Sequence, residues 1–254
     1  MTAKGGKLRL DRLLVERGLA ESRTRAEALI LAGRVTVRGK PGVKPGTSVS
    51  AEAEVSVSAP EHPWVSRGGV KLAAALEHFD IDPSGRVCLD IGASTGGFTD
   101  VLLSGGARTV YAVDVGYGQL HARLRNDPRV VLLEKVNARY LSRGEVPVPV
   151  ELLVADVSFI SLTMILPAAV PLLAPGAAAV LLVKPQFESA RGEVGKGGIV
   201  RDPAVRERAV ARVVASAGSL GLAPLGTIRS PIEGADGNEE FLAAFRAANP
   251  AVSR

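Results

Sequence analysis

Four ionisable residues stand where apolar stretches of the chain end. Lys71 lies in a helix-like stretch, marked by Leu72, Leu76 and Phe79 after it, that precedes the first long strand. Asp156 ends the run Leu152-Leu153-Val154-Ala155, and Lys184 ends Ala178 to Val183. Glu240 sits in Gly237-Asn238-Glu239-Glu240-Phe241, just before a last apolar segment. An amine works as a base near neutral pH only when burial or a neighbouring positive charge favours its unprotonated form. Two lysines with two carboxylates form a set that could remove a proton from a weak acid such as a hydroxyl. A structural alternative is a plain ion pair between Asp156 and Lys184. His62, His78 and His121 are scattered, and the single cysteine, Cys88, lies inside a strand, so no Cys/His cluster suggests a metal.

These residues need a sheet to bring them together. Val87 to Ile91 is an apolar, partly β-branched run. It enters a glycine turn, Gly92-x-Ser94-x-Gly96-Gly97, and Phe98, Val101, Leu102 and Leu103 then open a helical stripe. A strand, a glycine turn and a helix N-terminus make a nucleotide crevice in open α/β sheets. The turn departs from the dinucleotide fingerprint because Ser94 occupies the place of the glycine that lets backbone approach a pyrophosphate. A cofactor without pyrophosphate is expected, and S-adenosylmethionine is one. Asp114 ends the next strand, 18 residues after Gly96, where a carboxylate accepts hydrogen bonds from ribose hydroxyls. The expected cofactor contacts are Asp90, Gly92, Ser94, Gly96, Gly97, Phe98, Asp114 and Asp156. For Asp90, bonding to nearby backbone amides is an alternative.

The rest of the chain alternates as a doubly wound sheet does. Strands are expected at 87–91, 109–114, 130–133, 152–156, 178–183 and 222–228, with 241–245 as a further candidate. Helices are expected near 97–103, 119–125, 161–173 and 203–217. Residues 188–202, with four glycines and mixed charge, read as a mobile loop. Residues 157–183 carry no charge, which is long enough to span a bilayer. Pro167, Pro171 and Pro175 interrupt that run, so a helix, a turn and a buried strand explain it better than a membrane segment. The lone cysteine and the polar, basic start of the chain point to a reducing, cytoplasmic setting.

The basic excess is confined to the beginning. Residues 1–60 hold 11 Lys+Arg against 6 Asp+Glu, while residues 61–254 hold 20 of each. Leu8, Leu10, Leu13 and Leu14 have helical spacing, Ser22 opens a second helix, and Arg34 to Arg38 alternates like a strand. Residues 53–57 also read as a strand. A compact basic module beside a neutral body suggests an arm that docks on a polyanion. The expected division is 1–59, a linker at 60–66, and 67–254. Trp64, in that linker, reads as an apolar cap at the junction.

Arg9-Leu10-Asp11, Arg17-Gly18-Leu19, Ser22-Arg23, Leu29-Ile30, Gly33-Arg34-Val35 and Val43-Lys44-Pro45-Gly46 resemble the alpha-L RNA-binding motif. That resemblance makes Arg9, Arg12, Arg23, Arg25, Arg34, Lys40 and Lys44 candidate RNA phosphate contacts. Ser66-Arg67-Gly68-Gly69-Val70-Lys71, Asp90 to Asp100, Asp156-Val157-Ser158-Phe159-Ile160-Ser161, Lys184-Pro185-Gln186-Phe187-Glu188 and Gly237-Asn238-x-Glu240 resemble the TlyA family of ribosomal RNA 2′-O-methyltransferases. The resemblance implies a Rossmann-like, class I S-adenosylmethionine-dependent methyltransferase domain of FtsJ type, preceded by a small α+β RNA-binding domain. It places the family's Lys-Asp-Lys-Glu tetrad on Lys71, Asp156, Lys184 and Glu240. Lys184 is then the general base. Lys71 favours its neutral form or stabilises the forming alkoxide, and the two carboxylates orient the amines. In this fold Asp90 often also holds the methionine amino group. The implied substrate is cytidine of large-subunit rRNA, in ribosomes or subunits. Trp64-Val65 resembles the branch that also modifies the small subunit. No metal and no obligate protein partner are expected. Rival readings are a catalytically inactive assembly factor and a membrane-lytic haemolysin, a historical label of some members.

Overall fold

The computed structural model describes residues 6–31, 34–41, 44–58, 62–234 and 237–248. The chain divides between Pro63 and Trp64 into two compact units.

In the first unit β1 (Lys7–Arg9) leads into α1 (Leu10–Glu16), and α2 (Arg23–Leu31) follows. Then come β2 (Val35–Val37), β3 (Lys40–Pro41), β4 (Ser48–Ser50) and β5 (Val55–Val57). Leu8 belongs to the strand, so its helical spacing with Leu10 is coincidental. β1 pairs with β4, and β2 lies between β3 and β5, all antiparallel. Leu10, Leu14, Ala26, Leu29, Ile30 and Val35 form a small core. Gly33, Val43 and residues 59–61 lie outside the described residues.

The second unit contains α3 (Gly68–His78), β6 (Val87–Ile91), α4 (Gly97–Ser104), β7 (Thr109–Asp114), α5 (Ala122–Arg125) and β8 (Val130–Glu134). It continues with β9 (Val150–Ala155), α6 (Leu166–Ala169), β10 (Leu173–Val183), α7 (Pro185–Glu188), α8 (Pro203–Ser219), β11 (Leu222–Arg229) and β12 (Phe241–Ala247). The sheet order is β11-β12-β10-β9-β6-β7-β8, with β12 antiparallel to both neighbours. β10, β9, β6, β7 and β8 run parallel. Because β6 lies between β7 and β9, the strand order reverses beside it, which opens a crevice beyond the carboxyl ends of β6 and β9.

Period-two alternation decides which side chain meets which layer. Val87, Leu89 and Ile91 of β6 join the core on the face carrying α6 and α8. Cys88 joins the opposite core with Leu72 of α3 and Leu102 of α4. Asp90 points to that second face, where α4 supplies Thr99. α8 begins with Asp202, whose side chain accepts from the Ala204 amide, and buries Val205, Ala209, Val213 and Ala217 at four-residue spacing.

The helix expected over 161–173 is reduced to the four-residue α6. Leu162–Met164 and Val170–Leu172 are short 3-10 turns around α6. Pro167 and Pro171 supply no amide donor, so a continuous helix cannot form there. β10 starts five residues earlier than expected, and its register on β9 shifts between Leu173 and Ala178, where Pro175-Gly176 falls. The segment read as a mobile loop is built as turns. α7 ends at Glu188, the first residue of that segment, and 3-10 turns follow at Arg191–Glu193 and Lys196–Gly198. Asn238 accepts from the Val200 amide and donates to the Gly198 carbonyl.

Candidate active site

Backbone crowding shapes the crevice. Gly92 has φ of +86°, and a Cβ there would lie 2.2 Å from the Asp156 carbonyl oxygen. The β6 turn and the residue after β9 therefore touch, which only glycine permits. Gly97 plays the same part between α3 and α4, since its Cβ would meet Ser66 Oγ at 2.3 Å and the Gly69 amide at 2.9 Å. Ser94 holds a φ of +48°. Its amide donates to Asp114 Oδ2 at 2.8 Å, and the Gly116 amide donates to Asp114 Oδ1 at 2.7 Å. Both carboxylate oxygens of Asp114 are thus set by backbone before any ligand arrives.

Two cavities open at this edge, and Gly92, Ser94 and Asp156 line both. The larger, about 360 Å³, is bounded by Asp114, Asn137, Ile165 and Phe159. The smaller, about 260 Å³, is bounded by Lys71, Gly97, Phe98, Arg67 and Glu233. Gly96 and Asp90 line neither. Asp90 is fully buried, with Oδ2 accepting from Thr99 Oγ1 at 2.6 Å and Oδ1 without a partner. Burial pushes its carboxyl up to about 7, and the nearby carboxylates of Asp156 and Asp114 add to this. An unpaired, buried acceptor is costly unless a donor arrives.

The four ionisable residues form two pairs. Lys71 Nζ lies 2.5 Å from Glu240 Oε2, both buried. Lys184 Nζ lies 2.6 Å from Asp156 Oδ1, but out of line for a hydrogen bond. Its aligned donation goes to Ser158 Oγ at 2.9 Å. Lys71 and Asp156 face the same cavity. The α7 turn places Lys184 at its start and Glu188 at its end. Glu188 is buried and accepts from Ser161 Oγ at 2.5 Å and the Leu162 amide at 2.7 Å. Burial raises its carboxyl above the usual range. It fastens the far end of the segment that carries Asp156, Ser158 and Phe159.

Residue spacing did not single out Ser158, Phe159, Asn137 or Glu188. Phe159 is 91% exposed, with φ of +64°, and its ring lies 5.2 Å from that of Phe187. An aromatic side chain held open to solvent at a cavity rim was hidden in the sequence because it opens the uncharged run read as core. Trp64 belongs to the second unit and packs on Gly69, where a Cβ would meet its Cγ at 2.4 Å.

In the first unit Asp11 is fully buried and accepts four hydrogen bonds from three residues, one of them from Arg9 Nε at 3.1 Å. Arg9 Nη2 donates at 2.7 Å, Arg23 Nε at 2.9 Å and the Arg12 amide at 2.8 Å. The Arg9 guanidinium above all holds the Asp11 carboxyl well below the usual carboxylate range. Arg9 and Arg23 still present 50% and 61% of their side chains to solvent. Arg12 pairs with Glu16 on the helix surface. Arg34 donates to the Ser58 carbonyl at 2.5 Å. Lys40 and Lys44 are exposed. The side chain of Arg25 lies outside the described residues. Among the described residues no group of three metal-ligating side chains occurs, and no helix is long and apolar enough to cross a membrane.

The FtsJ-like methyltransferase model matches residues 64–247, and the S4 domain model matches residues 8–55. The chain is 52% identical to the Mycobacterium tuberculosis 16S/23S rRNA (cytidine-2′-O)-methyltransferase TlyA over 94% of its own length and 89% of that protein's. A solved structure from Streptococcus thermophilus, provisionally described as a hemolysin, is 42% identical, with a TM-score of 0.75, over 97% of this chain and 90% of that one. An S-adenosylmethionine-dependent methyltransferase structure assigned provisionally in Listeria monocytogenes shares the fold alone. It has 15% identity and a TM-score of 0.53, over 70% of this chain and all of that one. An FtsJ-type sheet preceded by an S4 module, with more than half of the aligned residues identical to a TlyA protein, places this chain in the TlyA family of FtsJ-like methyltransferases.

Proposed function

We propose that this chain transfers a methyl group from S-adenosylmethionine to the ribose 2′-hydroxyl of cytidine in large-subunit rRNA, and also in small-subunit rRNA. The observation that carries the reading is the pair of lysine–carboxylate contacts, Lys71–Glu240 and Lys184–Asp156, of which Lys71 and Asp156 line the smaller cavity beyond β6 and β9 while Glu240 and Lys184 line neither cavity. The relative with 52% identity is named for action on both rRNAs. Trp64-Val65 supports the same choice.

The residues fit S-adenosylmethionine. Asp114, already oriented by two amides, suits ribose hydroxyls. Asp90 Oδ1 lines neither cavity but lacks a partner, and an ammonium brought to it would supply the missing donor and favour the carboxylate form. Gly92, Ser94, Gly97 and Phe98 supply the wall between them, and Gly96 carries the turn into α4. Bound S-adenosylmethionine supplies a methyl group on a sulfonium, whose sulfur keeps the bonding pair when the ribose oxygen takes the carbon. Lys184 receives the hydroxyl proton. Lys71, paired with Glu240, places positive charge near the oxygen as it loses that proton. Asp156 holds Lys184 in place and lines both cavities, so it couples the base to the methyl donor's seat. No metal is needed for these steps. Alignment of oxygen, carbon and sulfur supplies much of the rate, and water exclusion at the buried pairs strengthens it.

The basic first unit docks on rRNA in the ribosome or its subunits. Arg9 and Arg23, fixed by Asp11, with Arg12, Arg34, Lys40 and Lys44, offer phosphate contacts that position rather than read sequence. The two roles divide between Pro63 and Trp64.

The test is methyl transfer from labelled S-adenosylmethionine to isolated subunits and whole ribosomes, followed by mapping of ribose methylation in both rRNAs. A Lys184→Ala protein that binds S-adenosylmethionine is expected to lose activity by a factor of about 10² to 10⁴. Wild-type activity in that variant would sink the base assignment. Methylation at a non-cytidine would sink the substrate assignment.

A further inference from the structure

We infer that Ser158 is a positioning residue for Lys184: its hydroxyl sets the direction in which the lysine nitrogen can accept a proton. The inference rests on the reading of Lys184 as the base.

The geometry separates charge from direction. Lys184 Nζ sits 2.6 Å from Asp156 Oδ1, close enough for a strong Coulombic contact, yet that oxygen makes no aligned hydrogen bond. The only aligned side-chain hydrogen bond recorded for this amine, among the described residues, runs to Ser158 Oγ at 2.9 Å. Rotation about Cε–Nζ is otherwise soft, because a lysine terminus carries three equivalent donors. Donation to Ser158 removes that freedom. One tetrahedral position on nitrogen is then taken by Cε and one by the hydrogen on Ser158. A second hydrogen must stay on the side of Asp156, because a lone pair facing a carboxylate at 2.6 Å would be repelled. In the neutral amine the lone pair therefore occupies the one remaining position. Without Ser158 the lone pair could exchange among positions, and the fraction of time spent facing the ribose hydroxyl would fall.

Ser158 is well placed for this task. It follows Asp156 by two residues on the same segment, and both line the larger cavity. Phe159 beside it adopts φ of +64°, and Ser161 and Leu162 are tied to the buried Glu188. Since α7 joins Glu188 to Lys184, the segment holding the acceptor and the element holding the amine are fastened at both ends.

The experiment compares Ser158→Ala, Ser158→Thr and Lys184→Ala in the full-length protein. Three quantities are read: single-turnover methyl transfer with ribosomal subunits, S-adenosylmethionine affinity by calorimetry, and ¹³Cε relaxation of Lys184 in the free protein. Ser158→Ala is expected to slow transfer about tenfold, since a misaimed reacting group costs that much or more. Its affinity for S-adenosylmethionine should stay within about twofold, and the order of the Lys184 ε-methylene should fall. Ser158→Thr, which keeps the hydroxyl, should restore rate and order together. Wild-type rate in Ser158→Ala, a slowed rate with unchanged Lys184 order, or a loss explained by weaker cofactor binding would each overturn the inference. Should Lys184→Ala retain activity, the base assignment fails instead, which separates the two ideas.

Discussion

Asp90→Asn should reverse the usual sense in which removing a buried charge near a ligand site matters. The wild-type carboxyl is fully buried, with one oxygen on Thr99 and the other unpaired. Its folded pKa is pushed up to about 7 by burial, against 3.8 for the free group. Below about pH 4 the group is protonated in both states and contributes nothing to the pH dependence. Between about 4 and 7 the unfolded chain has lost the proton while the folded chain keeps it, so stability falls as pH rises. Above about 7 both states are ionised and the loss levels off. The gap of roughly three pH units at 1.36 kcal/mol each sets a ceiling of about 4 kcal/mol. Asparagine has no such titration and can still accept from Thr99. The test is urea unfolding of both proteins from pH 4 to pH 8, without ligand. The difference in stability between Asp90→Asn and wild type should grow in favour of the variant across this range by one to several kcal/mol, roughly. Any constant offset from an imperfect amide fit cancels in that difference. The same variant should bind S-adenosylmethionine at least about tenfold more weakly, because a charge-assisted hydrogen bond to an ammonium is worth about 1.5–3 kcal/mol. A stability difference that is flat in pH, or that moves in the opposite direction, would refute the reasoning, whatever happens to binding.

Two further outcomes follow from the ion pairs and the basic unit. Lys71→Met leaves the Glu240 carboxylate buried without its partner at 2.5 Å, and should cost about 3–5 kcal/mol in urea unfolding. The double change with Glu240→Met should recover most of that loss while methyl transfer stays absent; a single-variant cost under about 1 kcal/mol would show that water already screens the pair. Replacing exposed Lys40 and Lys44 with alanine should reduce the slope of log affinity for rRNA against log salt by about 1 per lysine, with S-adenosylmethionine affinity unchanged. Filter binding across a salt series reads this directly, and an unaltered slope would remove these two lysines from the phosphate interface.

What was legible beforehand followed from local chemistry. The buried run at 87–91 entering a glycine turn, and charged residues directly after apolar runs, carry their own signals, because strands must bury and charges must not. The antiparallel placement of β12 between β10 and β11 had no local signal, since nothing in Phe241–Ala247 encodes its neighbours. Pro167 and Pro171 argued against a spanning helix and, by the same logic, against any long helix, yet the apolar spacing around them still read as helical. The expected strand start at Ala178 failed for a related reason. Pro175-Gly176 looked like a boundary and is instead an irregularity inside β10.

The pairing of the four ionisable residues belongs to a different level. Their positions after strands brought them to one edge, but which lysine met which carboxylate depended on α3 leaning over α4 and on β12 being inserted in the sheet. Gly97 allows the first, through its close approach to Ser66 and Gly69, and the register of Phe241 opposite Val183 sets the second. That register puts Glu240 one residue before β12, beside the end of β10 from which Lys184 emerges. Glu240 nonetheless contacts Lys71, and Lys184 contacts Asp156. The plain ion pair between Asp156 and Lys184, raised as an alternative to catalysis, is therefore present. On the proposed reading of Lys184 as the base, Asp156 fixes the position of the amine. The contact at 2.6 Å performs that structural task, while the hydroxyl of Ser158 leaves the reactive direction of the nitrogen open.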